Sequence, residues 1–260
     1  MIRILVMDIM DSINREYTKG VASLYNRGVL RTLSMLIKKM YKVLLRKDVI
    51  NDVDDNYDSI NGVDTIGIMY PTKDHVAGNN WKYGNKYEGV DIKIFNRSIK
   101  DLGLSYDKYV FIDFGSGKGR AVFLAATFPF KKVIGVEYCR ELDVIAQHNL
   151  RICNRDELAC KDINFFCMDA LEYSLPDEPL FLFINNSFGP KVMKELIRNL
   201  DKHYQKFKKP IVVIYFTAEC ANLWDKLSYL KRVSPISDRS FIKNKFVRAT
   251  KHVVWVSSNN

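Results

Sequence analysis

The chain has 260 residues, of which 47% are hydrophobic and 12% are aromatic, so it can bury a sizeable core and general disorder is excluded. A count of 40 lysines and arginines against 30 acids gives a net charge of +10, which favours nucleic acid, a membrane surface or an acidic protein as partner. No apolar run approaches the ~18 residues of a transmembrane segment, and an aspartate at position 8 interrupts any signal sequence. Five cysteines, an odd number, argue against a disulfide framework. We therefore expect a cytoplasmic protein.

Residues 1–60 are predicted to form a basic helical segment followed by an acidic linker. Seven lysines and arginines and no acid lie between positions 27 and 47, and apolar residues at helical spacing share the opposite arc. The basic arc is either solvated or contacts an anionic surface, such as a membrane or a nucleic acid. Aspartates at positions 48, 52, 54, 55 and 58 then indicate a hinge or linker.

Residues 61–108 are predicted to hold a lid and a helix that lead into the main domain. The segment 81–88 is aromatic and polar, which is unsuited to a core strand, and the amphipathic segment 92–99 follows it. Loops at strand ends often cover ligands, so we interpret 81–88 as a lid, with an ordinary surface loop as the alternative.

Beyond residue 108, apolar runs alternate with helical segments. Strands are predicted at 109–113, 132–137, 163–167, 180–184 and 210–215, and helices at 120–127, 142–150, 190–206 and 219–228. Continuous apolar strands separated by helices indicate an α/β fold with a parallel sheet covered on both faces. The last two runs, 229–233 and 252–256, are predicted to add an antiparallel pair at the end of the sheet.

A glycine cluster, Asp113-Phe-Gly-Ser-Gly-Lys-Gly119, follows the first of these strands, where open α/β sheets bind ligands. A phosphate-binding P-loop requires Ser or Thr after the lysine, but Gly119 stands there. A dinucleotide fingerprint requires Gly or Ala where this chain has Arg120. The remaining interpretations are a tight structural turn or a site for a cofactor without a pyrophosphate.

Acidic residues at the strand ends favour the cofactor site. Asp113 can face an ammonium group, while glycines let the backbone approach a ligand closely. Glu137 ends the second strand, 24 positions later, and can accept both hydroxyls of a ribose. Asp113 or Glu137 alone is compatible with an ordinary solvated side chain. Because both lie at predicted strand ends in register with the glycine cluster, we predict that they bind the same ligand.

With these landmarks, residues 80–260 resemble the class I S-adenosylmethionine-dependent methyltransferases. The resemblance implies a Rossmann-like sheet, S-adenosyl-L-methionine as cofactor, a core over residues 109–260, and Asp169 with Ala170 at the adenine. The segment Gly84-Asn-Lys-Tyr-Glu88 is similar to one that precedes the glycine motif in a set of bacterial members. The implied cofactor residues are Tyr83, Tyr87, Glu88, Asp113, Gly115, Ser116, Gly117, Gly119, Glu137, Tyr138, Asp169, Ala170 and Asn185.

The end of the fourth strand, Asn185-Asn-Ser-Phe-Gly-Pro190, is similar to the disruptor-of-telomeric-silencing class of lysine methyltransferases. It implies that Asn185 and Asn186 orient an acceptor N–H and that Phe188 walls the pocket, with Tyr83, Tyr87 and Tyr215 in reserve and no metal required. The acceptor is predicted to be a macromolecule, a protein lysine ahead of a nucleic-acid base, since an adenine-modifying motif normally has two prolines here. A nucleic-acid methyltransferase and a non-catalytic partner subunit of the same fold remain the alternatives.

Overall fold

The computed structural model describes residues 56–69, 87–233 and 252–258. The predicted basic helix at 27–47, most of the acidic linker and Tyr83 therefore lie outside the described residues, as do the basic positions 239–251. Within the described part of the chain, no helix is long and apolar enough to cross a membrane.

Nine strands are described, two of which form a separate small ladder. In that ladder β1 (Ile68–Met69) runs antiparallel to β2 (Tyr87–Glu88). The other seven build one sheet in the order β5-β4-β3-β6-β7-β9-β8. Their bounds are β3 Val110–Phe114, β4 Lys132–Glu137, β5 Ile163–Cys167, β6 Leu180–Asn185, β7 Ile211–Phe216, β8 Leu230–Val233 and β9 Val253–Ser257.

The direction of the strands agrees with the sequence pattern. Strands β3 to β7 pair in parallel, and β9 runs antiparallel to both of its neighbours, β7 and β8. The buried parallel strands are almost entirely apolar because helices cover both of their faces. The predicted Rossmann-like α/β sheet, mostly parallel with an antiparallel C-terminal strand, is confirmed.

Helices pack on both faces of the sheet. One face carries α5 and α6, against strand residues such as Ile112 and Leu182, and the other carries α2, α3 and α4, against Phe111 and Phe183. Successive residues of a strand point to opposite faces, so one strand supplies both layers. The helices are α1 Tyr57–Asn61, α2 Ile92–Lys100, α3 Arg120–Ala126, α4 Arg140–Ile152, α5 Pro190–Phe207 and α6 Ala221–Trp224.

Helix α6 is shorter than the helix predicted at 219–228, so the predicted bounds are wrong. The chain turns after Trp224, and the carboxylate of Asp225 accepts hydrogen bonds from the guanidinium of Arg232 at 2.7 Å and from the indole N–H of Trp255 at 2.9 Å. These bonds hold Asp225 against β8 and β9, so the helix does not continue.

Candidate active site

A cleft opens at the carboxyl edge of the sheet, beyond the ends of β3, β4 and β6. Asp113, Glu137 and Asn185 line it from these strands. Glu88 and Val90 line it from the segment 87–90. Parallel strands bring their carboxyl ends to one edge, which explains why residues distant in sequence converge there.

The glycine turn wraps the end of β3. Gly115, Gly117 and Gly119 have φ of 85°, 54° and 90°, a region that side chains disfavour. A Cβ at Gly115 would collide with the side chain of Ser187, and one at Gly117 would collide with the ring of Tyr87. The glycines therefore permit both the turn and the close approach of two other segments.

Glu137 joins this turn to β4. Its Oε2 accepts a hydrogen bond from the Gly117 N–H, and its Oε1 accepts one from the Cys139 N–H, both at 2.8 Å. The side chain is 3% exposed, and burial raises the pKa of Glu137 to about 7. Because each carboxylate oxygen has a second lone pair, Glu137 retains capacity to accept hydroxyl groups of a ligand.

Asp113 lies opposite Gly135 of the neighbouring strand β4, two residues before Glu137, and is also 3% exposed. Its buried Oδ1 has no hydrogen-bond partner among the described residues. Burial and the nearby Glu137 carboxylate raise the pKa of Asp113 well above its ordinary value. An unpaired carboxylate is costly to bury, so this position is suited to a cationic group of a ligand.

A second cavity adjoins the cleft at the ends of β4 and β5. Its walls are mainly apolar, and Asp169 lies at its edge with Oδ1 accepting the Leu171 N–H at 2.9 Å. Gly115, Tyr138 and Phe188 line both cavities. A flat apolar ring system with one polar edge fits such a slot. Its apolar walls are formed by Val136, Met168, Ala170, Phe188 and Val192.

We name residues 87–90 the strap, because this segment crosses the cleft and is held at three points. The Tyr87 hydroxyl donates to the Thr65 carbonyl at 2.6 Å. The Asn185 side-chain amide donates to the Glu88 carbonyl at 3.2 Å, and Arg120 Nε donates to the Val90 carbonyl at 2.9 Å. The strap therefore forms a fixed wall of the cleft in this structure.

A buried ion pair anchors the segment that precedes the strap. Arg120 Nη1 lies 3.3 Å from Asp58 Oδ1 and donates to Thr65 Oγ1 at 2.8 Å. The same Asp58 carboxylate accepts the backbone N–H groups of Thr65 at 2.6 Å and Ile66 at 2.8 Å. We name residues 57–67 the flank. Asp58, the last acid of the predicted linker, thus lies in α1 and holds the flank to α3.

Lys118 also contacts the flank rather than the cleft. Its Nζ is 2.6 Å from Asp64 Oδ1 and donates to the Ile66 carbonyl at 2.9 Å. A P-loop lysine would instead reach a bound phosphate. The partners of Lys118 and Arg120 thus give a physical reason why neither phosphate-binding pattern applies to the glycine cluster.

The side of the cleft that the sequence predicts to face an acceptor, called the acceptor side, lies at the end of β6. Asn186 has φ of 50°, and its N–H donates to the Phe216 carbonyl at 3.1 Å. Asn185 and Phe188 line the cleft, with Phe188 8% exposed. Tyr215, held in reserve from the sequence, is fully buried and lines neither cavity.

Most of the sequence-predicted site residues come together in the structure. The cleft is lined by Tyr87, Glu88, Asp113, Gly115, Ser116, Glu137, Tyr138, Asn185 and Phe188, and the second cavity by Asp169 and Ala170. Sequence reasoning missed Ser187, Arg120 and the flank. In the sequence, Arg120 serves only to exclude a dinucleotide fingerprint. No local pattern connects it with Asp58, which lies 62 positions earlier.

Comparisons with known proteins identify only distant similarity. No family profile and no curated protein matches the chain. An RNA methyltransferase from Salinibacter ruber, solved with S-adenosyl-L-homocysteine, is 16% identical with a TM-score of 0.41, over 64% of this chain and 89% of that one. Ribosomal protein L11 methylase from Lactobacillus delbrueckii subsp. bulgaricus is 14% identical with a TM-score of 0.44, over 72% and 83%. A predicted N6-adenine-specific DNA methylase from Listeria monocytogenes is 13% identical with a TM-score of 0.44, over 65% and 51%. The function is therefore argued from the residues of this chain.

Proposed function

We propose that this chain transfers the methyl group of S-adenosylmethionine to a nitrogen nucleophile. The observation that carries the proposal is Asp113, a buried carboxylate that lines the cleft beside the glycine turn and whose Oδ1 has no hydrogen-bond partner among the described residues. S-adenosylmethionine offers an ammonium group for such a carboxylate. It also has a ribose for Glu137 and an adenine for the apolar slot beside Asp169.

The residues present match that cofactor in their chemistry. Burial raises the pKa values of two carboxylates, Asp113 and Glu137, and a cationic ligand beside them would favour their charged forms. The second cavity has the apolar walls that an adenine requires, with Asp169 at its edge. Bound there, the cofactor supplies an electrophilic methyl group on a sulfonium.

The role of the protein is then to align an acceptor and to exclude water. Asn185 uses its amide N–H on the strap, so its side-chain oxygen remains to accept an N–H of the acceptor. The strap and Phe188 restrict the access of solvent to the cleft. Asn186 has a left-handed conformation and its N–H donates to the Phe216 carbonyl, but it lines neither cavity, so its role toward the acceptor rests on the sequence motif alone.

Two acceptor classes are compatible with this arrangement. A protein lysine is favoured by Asn185, Asn186 and the Gly189-Pro190 pair, which resemble the lysine-modifying motif. A nucleic-acid base is favoured by the exposed lysines and arginine of α5, the helix that follows the acceptor side.

Calorimetry with purified protein tests the cofactor assignment. We expect S-adenosylmethionine and S-adenosylhomocysteine to bind, and NAD not to bind. Binding of NAD without binding of either methyl-cycle ligand would refute the proposal.

Transfer is tested with tritiated S-adenosylmethionine in a cell lysate that is afterwards separated into protein, nucleic acid and small molecules. The matched variant is Asn186→Gly, since glycine tolerates φ of 50° and removes the side chain that carries the amide. We expect this variant to bind cofactor normally and to lose transfer. Full transfer by Asn186→Gly would exclude a role of that amide in catalysis.

A further inference from the structure

The exposed face of α5 carries a row of positive charge. Five basic residues lie within an arc of about 120° on this helix, because they are spaced by three or four residues. All five side chains are exposed. Glu195 is the one acid in the same arc, and it pairs with Arg198 at 2.8 Å. We name this set the basic row; it consists of Lys191, Lys194, Arg198, Lys202 and Lys206.

The basic row begins at the acceptor side of the cleft. Helix α5 starts at Pro190, two residues after Phe188, and Val192 lines the second cavity. From Lys191 the row runs about 22 Å along the helix, and its later members are about 6 Å apart. This length covers several nucleotides of an extended strand, and the spacing is similar to that of successive phosphates.

The composition of this face favours a polyanion over a folded protein. Protein interfaces have an apolar or aromatic centre from which charged residues are depleted. Within the described ranges, the large exposed hydrophobic residues lie on other elements, and none lies on α5. The apolar residues of α5, such as Met193 and Leu200, are buried against the sheet.

We propose that the basic row binds the phosphate backbone of a single-stranded RNA segment whose base enters the cleft. This proposal rests on the proposed function, because it identifies the acceptor of that site. A base must leave its stack to reach a methyl group inside a cleft, and single-stranded RNA presents unstacked bases without the cost of opening a duplex. Phosphate contacts position the strand, and the cleft selects the reacting base.

The test is binding of a fluorescein-labelled, unstructured RNA of about 12 nucleotides to the full chain, followed by anisotropy at several salt concentrations. The variant is the triple substitution Lys194→Glu, Arg198→Glu and Lys202→Glu. The affinity of this variant is expected to fall roughly ten-fold or more, and the slope of log K against log salt to lose about 0.7 for each phosphate contact removed.

The control is a second triple substitution on the opposite face of the sheet: Lys93→Glu, Arg97→Glu and Lys100→Glu in α2. These residues are exposed, the change in net charge is identical, and each triple removes one exposed ion pair, here that of Arg97 with Asp101. The proposal requires the control to bind RNA within about three-fold of the wild type. An equal loss in both triples would assign binding to net charge and overturn it.

Cofactor calorimetry on the same proteins separates this proposal from the proposed function. Both triples should bind S-adenosylmethionine as the wild type does, because none of the six residues lines either cavity. Three results with the wild type would overturn the RNA docking alone. These are binding of cofactor but not of RNA, a preference for single-stranded DNA, and label only in the protein fraction of the lysate. RNA binding through the basic row without cofactor binding would instead refute the proposed function.

Discussion

Asp113 and Glu137 are buried carboxylates on neighbouring strands, and neither faces a basic residue across a hydrogen bond that the structure describes. Such an arrangement lowers the stability of the ligand-free chain, because burial disfavours the charged forms. Glu137 recovers part of this cost through two backbone N–H groups. Asp113 Oδ1 has no hydrogen-bond donor among the described residues, so the cost of burying its charge remains. A substitution at Asp113 therefore distinguishes a residue that binds a ligand from one that stabilises the fold.

The first prediction concerns Asp113→Asn. The substitution keeps the shape of the side chain and removes its charge, so we expect the ligand-free protein to gain on the order of 1–2 kcal/mol at pH 8 while cofactor affinity falls at least ten-fold. Because the pKa of Asp113 is raised in the folded state, the gain should vanish as the pH falls below the ordinary range of an aspartate. Denaturant unfolding and calorimetry measure the two effects. A loss of stability would show that Asp113 has a structural role.

The second prediction concerns pH. The pKa of Glu137 is raised to about 7 by burial, so this residue is largely protonated at pH 6 and largely charged at pH 8. Charged Glu137 accepts hydroxyl groups and attracts a cationic ligand, so the Kd of S-adenosylmethionine should decrease as pH rises, by up to about ten-fold per unit below the pKa. In Glu137→Gln this dependence should flatten. An unchanged pH profile in the variant would assign the titration to the ligand or to Asp113.

At the scale of elements, the flank and α3 form one structural unit through Arg120. Its side chain is 3% exposed, and that of Asp58 is 16% exposed, so this ion pair is shielded from solvent, whereas Asp64 beside Lys118 is 63% exposed. Removing one member of a buried pair leaves the other uncompensated. The position of the strap therefore depends on Arg120, which also holds the Val90 carbonyl.

The third prediction is a double-mutant cycle. Arg120→Met and Asp58→Ala are each expected to cost about 3 kcal/mol in the free energy of unfolding, and the double variant should cost clearly less than their sum. Lys118→Met is the comparison, with a cost of at most about 1 kcal/mol because its partner is exposed. Additive costs for Arg120 and Asp58 would mean that the two residues act independently.

The regular elements of the main domain were predictable from the sequence, and the flank was not. Strand β4 has the predicted bounds, because a strand buried on both faces must be a continuous apolar run. Strand β5, at the edge of the sheet, also has the predicted bounds. The flank has no such local signal, since Asp58 lies in a run of aspartates that is typical of a linker. Its role depends on Arg120, 62 positions later, and such a contact leaves no periodic pattern.

The same distinction holds for the site. Asp113, Glu137 and the glycines were identified because a ligand at the carboxyl edge requires their chemistry at fixed strand ends. The structure brings them to one cleft. The strap was only partly anticipated: its Tyr87 and Glu88 belong to the predicted lid, but the groups that hold it, Thr65 and Arg120, come from segments with no apparent link to it.

At the scale of the whole molecule, the described residues all belong to the unit Asp55–Asn260. Within that unit the strap and the strand ends line the cleft, and the flank holds the strap. None of the contacts that the structure describes at the proposed cofactor site involves a residue before position 56.

The last prediction follows from this arrangement. A chain that begins at Asn56 is expected to bind S-adenosylmethionine with the affinity of the full chain. A chain that begins at Ile66 lacks Asp58, Asp64 and Thr65, so Arg120 and Lys118 lose their carboxylate partners and the Tyr87 hydroxyl loses its acceptor. We expect this shorter chain to melt at a lower temperature and to bind cofactor more weakly, because the strap is no longer held over the cleft. Thermal unfolding and calorimetry compare the three chains. Normal binding by the chain from Ile66 would show that the flank is dispensable, and weak binding by a folded chain from Asn56 would assign part of the cofactor site to residues 1–55.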